Sequence, residues 1–96
     1  MIETTKMNIE GVECEAVSIK TENSNVFLIK TKKGFIGCGY FDVEAANKFH
    51  DAVAIVSGVT NLDEMLSFPV AKISEKAKIL GINDKMKGKD ALMKLG

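Results

Sequence analysis

The first 40 residues contain four short segments with strand character, and turn-forming residues separate them. Apolar and polar residues alternate in Met7–Glu10, as in a strand with one buried face. In the next segment Cys14, Ala16 and Ser18 are expected to face one way, and Val17 and Ile19 the other. Val26–Ile29 is a continuous apolar run, typical of a strand covered on both faces, and Phe35–Tyr40 is the fourth segment. Because short turns join these segments, we predict consecutive antiparallel hairpins.

The spacing of apolar residues changes after Asp42, from every second position to every third or fourth. Asp42 is typical of a helix N-cap, because its carboxylate can accept the free N–H groups of the first turn. Val43, Ala46 and Phe49 recur at helical spacing and predict one buried stripe on a helix that ends near His50.

A second strand-forming region and further short helices follow. Ala52–Val56 predicts a fifth strand, and a helical crossover before it allows parallel pairing, so the sheet is expected to be mixed. Asn61 and Ser74 are typical N-caps of two short helices, and Lys89–Leu95 predicts a last one. Val70–Ile73 fits either a strand or a helix.

These elements predict a single α+β domain over residues 1–96. The chain has 96 residues and is 46% apolar, which suits one core and is too apolar for a disordered chain. We expect a mixed, mostly antiparallel sheet of about five strands covered by three or four short helices. Most helices should lie on one face. The other face should be covered by a second copy or by residues that tolerate solvent, and a homodimer is the default expectation.

The charge balance argues against nucleic-acid binding. The chain carries thirteen basic and thirteen acidic residues, and every basic residue is lysine. Lysine lacks the planar fork with which arginine grips phosphates and guanines. A neutral, arginine-free domain is therefore not expected to bind nucleic acid.

Neither membrane insertion nor secretion is expected. The longest uncharged run, Ala52–Leu62, is far shorter than the ~20 apolar residues of a membrane span. Met1–Gly11 is polar and lacks the apolar segment of a signal peptide. Without a signal peptide, Cys14 and Cys38 are interpreted as free thiols in a reducing compartment, which predicts the cytoplasm.

The turn Gly37-Cys38-Gly39 is the main candidate functional site. Such glycines allow a ligand to approach the backbone, and a nearby helix N-terminus would lower the pKa of a thiol. Cys38 is thus interpreted either as a reactive thiol or pocket floor, or as a small buried core residue. His50 is the only histidine and lies roughly 12 Å away along the predicted helix. A Cys–His dyad within one chain is therefore not expected, whereas a dyad across a dimer interface stays open.

Other chemistry has little support in the sequence. One histidine and two distant cysteines give no metal-ligand spacing, so neither a metal nor a cofactor is expected. The glycines of residues 34–39 and 81–88 do not follow the dinucleotide or phosphate-loop patterns. The predicted ligand-binding residues are Gly37, Cys38, Gly39, Asp42 and Asn47. We rank a small-ligand or partner-binding module first, a structural homo-oligomer or subunit of a larger complex second, and a thiol-dependent enzyme using Cys38 third.

The segment Gly34–Val43 resembles the YunC-like domain family of small archaeal and bacterial proteins, a family of unknown function. Both have Gly-aromatic-aliphatic-x-Cys-Gly-x-x-Asp-aliphatic, followed by a helix that bears an asparagine. The likeness continues in four further segments: Ala54–Val59, Leu62–Leu66, Leu80–Ile82 and Met86–Leu92. Asp90 stands where glutamate is usual. The resemblance implies this fold and domain extent, and it marks Cys38 and Asp42 as motif positions without assigning them a role.

Overall fold

The computed structural model describes residues 2–96; Met1, the first residue of the predicted domain, lies outside the described residues. Six strands and four helices follow one another within residues 2–96. In order they are β1 (Ile2–Ile9), β2 (Val12–Lys20), β3 (Asn25–Lys30), β4 (Gly34–Gly37), α1 (Val43–Lys48), β5 (Ala52–Ile55), α2 (Leu62–Ser67), β6 (Lys72–Ile73), α3 (Glu75–Ile79) and α4 (Gly88–Leu95).

The strands form one sheet in the order β1-β2-β3-β4-β5-β6. Neighbours are antiparallel except β4 and β5, which are parallel because α1 carries the chain back between them. This confirms the predicted mixed, mostly antiparallel sheet. The structure has six strands rather than about five, because the ambiguous segment supplies β6: Ile73 pairs with Ala54 of β5.

A two-residue turn sets the register of the first hairpin. Glu10 and Gly11 both have positive φ angles, 49° and 88°, as in a type I′ turn, whose twist matches that of the strands. The side chain of Asn8 accepts a hydrogen bond from the Gly11 N–H at 2.9 Å. Met7 consequently lies opposite Cys14, and successive residues of β2 face opposite sides of the sheet.

The larger core lies between the sheet and three helices. Met65 of α2, Ala77 of α3 and Leu92 of α4 are fully buried there. The sheet contributes alternate residues to this core: Cys14, Ala16, Phe27, Ile29, Ile36, Cys38, Ala52 and Ala54. Three of the four helices thus lie on one face, as expected.

Helix α1 lies alone on the opposite face. Ala46 packs there with Val53 and Ile55 of β5, and Phe35 and Phe41 complete this smaller cluster. The alternation along β5 explains the division, since Val53 and Ile55 point away from the side to which Ala52 and Ala54 belong. None of the helices within residues 2–96 combines the length and apolar character needed to cross a bilayer.

The predicted helix caps are confirmed. Asp42, Asn61 and Ser74 each accept a hydrogen bond from a backbone N–H in the first turn of α1, α2 and α3. The expectation that Phe49 is buried was wrong. Phe49 is the C-cap of α1, and His50 follows with a φ of 59°, so the chain leaves the helix and 69% of Phe49 is exposed.

Candidate functional site

Gly37 closes the strand β4 beneath an aromatic ring. A Cβ atom at Gly37 would lie 2.6 Å from Cδ2 of Phe41, so the absence of a side chain makes room for this ring. Phe41 in turn packs edge-to-face against Phe35, with 5.3 Å between the ring centroids. Gly37 therefore serves the packing on the α1 side of the sheet.

Cys38 follows on the other side of the sheet and is buried, with 4% of its surface exposed. Its N–H donates to the carbonyl of Phe27 at 3.0 Å, and its Sγ accepts the N–H of Phe27 at 3.4 Å. The sulfur thus occupies the place of a backbone carbonyl in the pairing with the strand β3. His50 is exposed beyond the far end of α1. The one histidine of the chain therefore lies away from this thiol.

Gly39 and Tyr40 lie at the surface after β4. A Cβ atom at Gly39 would meet only the Oγ of Ser57, at 3.9 Å, so the space above this residue is nearly empty. Tyr40 is 62% exposed. Together they form one wall of a hollow.

The hollow has a volume of about 250 Å³. It lies between the loop after β4, the loop after β5 and the start of β3. Its lining contains no charged side chain and consists of Ser24, Asn25, Cys38, Gly39, Tyr40, Gly58 and Val59. We call it the Tyr40 crevice.

The topology of the sheet produces the Tyr40 crevice. Strands β4 and β5 are parallel neighbours, so their carboxyl ends meet at one edge. The chain then leaves β4 for α1 on one face and leaves β5 for α2 on the other. Where the connections of adjacent parallel strands diverge in this way, the loops separate, and open α/β sheets bind their ligands in the resulting gap.

The other two predicted site residues lie elsewhere. Asp42 is exposed, and its Oδ1 accepts the N–H of Glu44 at 3.0 Å as the cap of α1. The Oδ1 of Asn47 accepts the N–H of Glu75 at 2.7 Å, which joins α1 to the beginning of α3. Of the five predicted residues, the structure brings only Cys38 and Gly39 into the crevice.

Sequence reasoning missed the second half of the crevice. No site role was predicted for Ser24, Asn25 or Gly58, which line the crevice. A signal was present, because Gly58 follows β5 much as Gly39 follows β4. Pairing these two glycines requires knowing that the two strands are parallel neighbours.

The second cysteine lies apart from the crevice. Cys14 is 7% exposed, burial raises the pKa of its thiol, and its Sγ lies 3.7 Å from the carbonyl oxygen of Met7. Both cysteines are free. Within residues 2–96, no group of three or more His, Cys, Asp or Glu side chains is arranged to hold a metal ion.

Comparison with known proteins identifies the family. The family model described as Domain of unknown function (DUF1805) matches residues 37–95, more than half of the chain. The chain belongs to the DUF1805 family. The match begins at Gly37, so both parallel strands' carboxyl ends lie inside the DUF1805 region, whereas Ser24 and Asn25 precede it.

Two relatives extend the similarity over the whole chain. The uncharacterized protein YunC of Bacillus subtilis (strain 168) is 32% identical over 99 residues, covering 99% of this chain and 98% of YunC. The crystal structure of a protein of unknown function, TA1206 from Thermoplasma acidophilum, matches with a TM-score of 0.94 and 33% identity. It covers 100% of this chain and 94% of the other. The predicted YunC-like family membership is thus confirmed.

Proposed function

We propose that this DUF1805 domain is a binding module that holds a small, uncharged molecule in the Tyr40 crevice. The observation that carries the proposal is the divergence of the chain from β4 and β5 to opposite faces of the sheet. The resulting gap exposes Tyr40 beside a glycine whose side-chain space is empty. The two buried thiols are free, which fits a protein of the reducing cytoplasm.

The lining supports a particular class of ligand. Ser24, Asn25 and Tyr40 offer hydroxyl and amide groups, and Val59 offers an apolar surface. A phosphate or carboxylate would find no cation among these side chains. The volume of about 250 Å³ lies below the usual range of drug-sized sites, roughly 300–1,000 Å³. We therefore propose a neutral molecule with a planar part that stacks on Tyr40.

Binding is favoured over thiol chemistry. A nucleophilic cysteine needs an accessible thiolate and a base within hydrogen-bond reach. Cys38 is 4% exposed, and its sulfur already accepts the N–H of Phe27. Its role in the proposal is that of a crevice wall.

The intrinsic fluorescence of Tyr40 provides the test. The chain has one tyrosine and no tryptophan, so its emission reports on the crevice alone. Neutral nucleosides, amides and sugars are titrated into the full chain, and native mass spectrometry identifies any small molecule that co-purifies. We expect a saturable fluorescence change with one of these neutral compounds.

A blocking variant and a matched control locate the binding site. Gly39→Leu should fill the crevice without disturbing the fold, because there is room for its Cβ atom. Lys32→Leu adds the same side chain at an exposed turn residue outside the crevice lining. We expect Gly39→Leu to weaken binding by about ten-fold or more, equivalent to ~1.4 kcal/mol. A ligand that binds both variants equally well would place the site elsewhere.

A further inference from the structure

One side of the sheet is only half covered. On the α1 side, Val17, Ile19 and Leu28 of β2 and β3 are half-buried apolar residues that belong to neither core cluster. The register places Val17 beside Leu28, and the alternation along β2 places Ile19 on the same face. We call this surface of β1, β2 and β3 the open sheet face.

The other half of the same side is raised. Helix α1 lies over β5, and the Phe41 ring lies over Gly37, which pairs with Leu28 at the border of the open sheet face. Phe49, at the end of α1, is 69% exposed. Since a helix with its side chains is about 10 Å across, the two halves form a step of roughly that height.

We propose that a second copy of this chain packs on the open sheet face, with α1 of each copy lying on the open sheet face of the other. This interface goes beyond the ligand site proposed above and does not depend on it. A two-fold interface requires a surface that complements itself, and a raised half beside a recessed half meets this requirement. Phe49 is the apolar anchor that each copy offers, because aromatic side chains, phenylalanine included, are enriched at interfaces.

The charges disfavour contact between two raised halves. At one end of the open sheet face, Lys6 and Lys30 flank Glu15 in adjacent strands, and Glu13 projects from the same face of β2, so this surface has no net charge. The raised half carries three exposed carboxylates and one lysine: Asp42, Glu44, Asp51 and Lys48. Two raised halves would repel each other, which favours the pairing of each raised half with the uncharged open sheet face.

The size of the surface predicts a weak dimer. Three strands at about 4.8 Å spacing and five residues at about 3.4 Å give an open patch on the order of 250 Å². Two reciprocal contacts then bury roughly 500 Å² per copy, about 1,000 Å² in total, which is the lower limit for a specific interface. We expect a reversible dimer whose population rises with protein concentration.

Sedimentation velocity of the full chain over a range of concentrations tests the proposal. We expect the wild type to change from monomer to dimer as its concentration rises. Phe49→Ala removes the anchor and should raise the dissociation constant by about ten-fold or more. Ile79→Ala removes an equally exposed apolar side chain from α3, 79% exposed, and should leave the dissociation constant unchanged. A monomeric wild type, or a Phe49→Ala dimer as tight as the wild type, would overturn the proposal.

Mixing two defective variants tests the reciprocal geometry. Val17→Glu places a negative charge on the open sheet face and should weaken the dimer. Lys6→Glu does so at an exposed residue. Because Lys6 lies opposite Glu15, thermal unfolding first verifies that this variant is folded. In a mixed dimer of Phe49→Ala with Lys6→Glu, one of the two contacts joins an intact α1 to an intact open sheet face. Both substitutions then fall in the other contact, where the second costs less than it does alone, so the dissociation constant of the mixed dimer should lie below the geometric mean of the two homodimer values. A mixed dimer at the geometric mean or weaker would contradict the two-fold arrangement. These outcomes do not involve Tyr40, so they are read independently of ligand binding.

Discussion

Ser74 and Val53 are joined by two hydrogen bonds that lie side by side. The N–H of Ser74 donates to the carbonyl of Val53, and the N–H of Val53 donates to the Oγ of Ser74, both at 2.9 Å. The same Oγ donates to the carbonyl of Asp51 at 2.8 Å and accepts the N–H of Ala77 at 3.3 Å. One fully buried hydroxyl thus ties β5 to the start of α3.

Replacing this hydroxyl should be costly. Ser74→Ala leaves the Val53 N–H buried without a partner and removes the cap of α3. We expect a loss of about 2–4 kcal/mol in the free energy of unfolding. Urea denaturation of both proteins measures the change. Ser67→Ala, which removes an exposed hydroxyl on α2, is the control and should change the free energy by less than about 0.5 kcal/mol. An equal effect of the two substitutions would contradict this account of Ser74.

The two glycines that flank Cys38 should respond differently to alanine. Gly37→Ala places a Cβ atom against the Phe41 ring and must displace it, so we expect a loss of about 1–3 kcal/mol. Gly39→Ala meets open space and has no positive φ to strain it, so its effect should be within about 0.5 kcal/mol of zero. Thermal unfolding of the two variants checks the difference. Comparable losses would mean that Phe41 does not depend on the missing side chain.

The ionisation of Glu64 should make the free energy of unfolding depend on pH in the acid range. Thr60 donates both its N–H, at 2.6 Å, and its hydroxyl, at 2.8 Å, to one carboxylate oxygen of Glu64, and these bonds lower the pKa of that carboxyl. A lowered pKa contributes stability above the ordinary glutamate pKa, and this contribution is lost as the pH falls through the lowered value. Thr60→Ala removes the hydroxyl bond and keeps the N–H bond, so it should raise the pKa of Glu64 only part of the way to its ordinary value. The carboxyl carbon NMR signal of Glu64 measures this pKa. An unchanged titration in this variant would contradict the assigned cause.

The ionisation of Cys14 should lower the free energy of unfolding as the pH rises in the alkaline range. Burial raises the pKa of its thiol, so the folded state favours the neutral form. The resulting stability is complete below the ordinary thiol pKa and is lost as the pH rises through the raised value. Cys14→Ala should abolish this part of the alkaline decline, measured by urea denaturation at a series of pH values. The decline would have another source if the variant followed the wild-type curve.

Local features of the fold were predictable, and features that depend on long-range pairing were not. Asp42, Asn61 and Ser74 were predicted as caps because capping involves only neighbouring residues. The two-residue strand β6 has no periodicity to detect, and it exists through its pairing with β5. Phe49 continued the apolar spacing of α1, but the helix ends one residue earlier.

The candidate site was half predictable for the same reason. Gly37-Cys38-Gly39 was recognisable because glycine at a strand end signals an unusual backbone. The opposite wall, with Gly58 and Val59, reaches Tyr40 only through the parallel pairing of β4 with β5. Asn47 was predicted from its position on the helix, and its bond to the N–H of Glu75 depends on how α3 is placed.

The arrangement of the larger core has a consequence for synthesis of the protein on the ribosome. Strands β1 to β4 pair only with neighbours in the sequence, so these hairpins can form as soon as they emerge. Their apolar residues, such as Phe27 and Ile29, belong to the same core as Leu92 and Leu95, which are made some sixty residues later. The nascent chain therefore passes through a stage in which the apolar face of a formed sheet is still exposed to solvent. Chaperone binding or aggregation would occur at that stage.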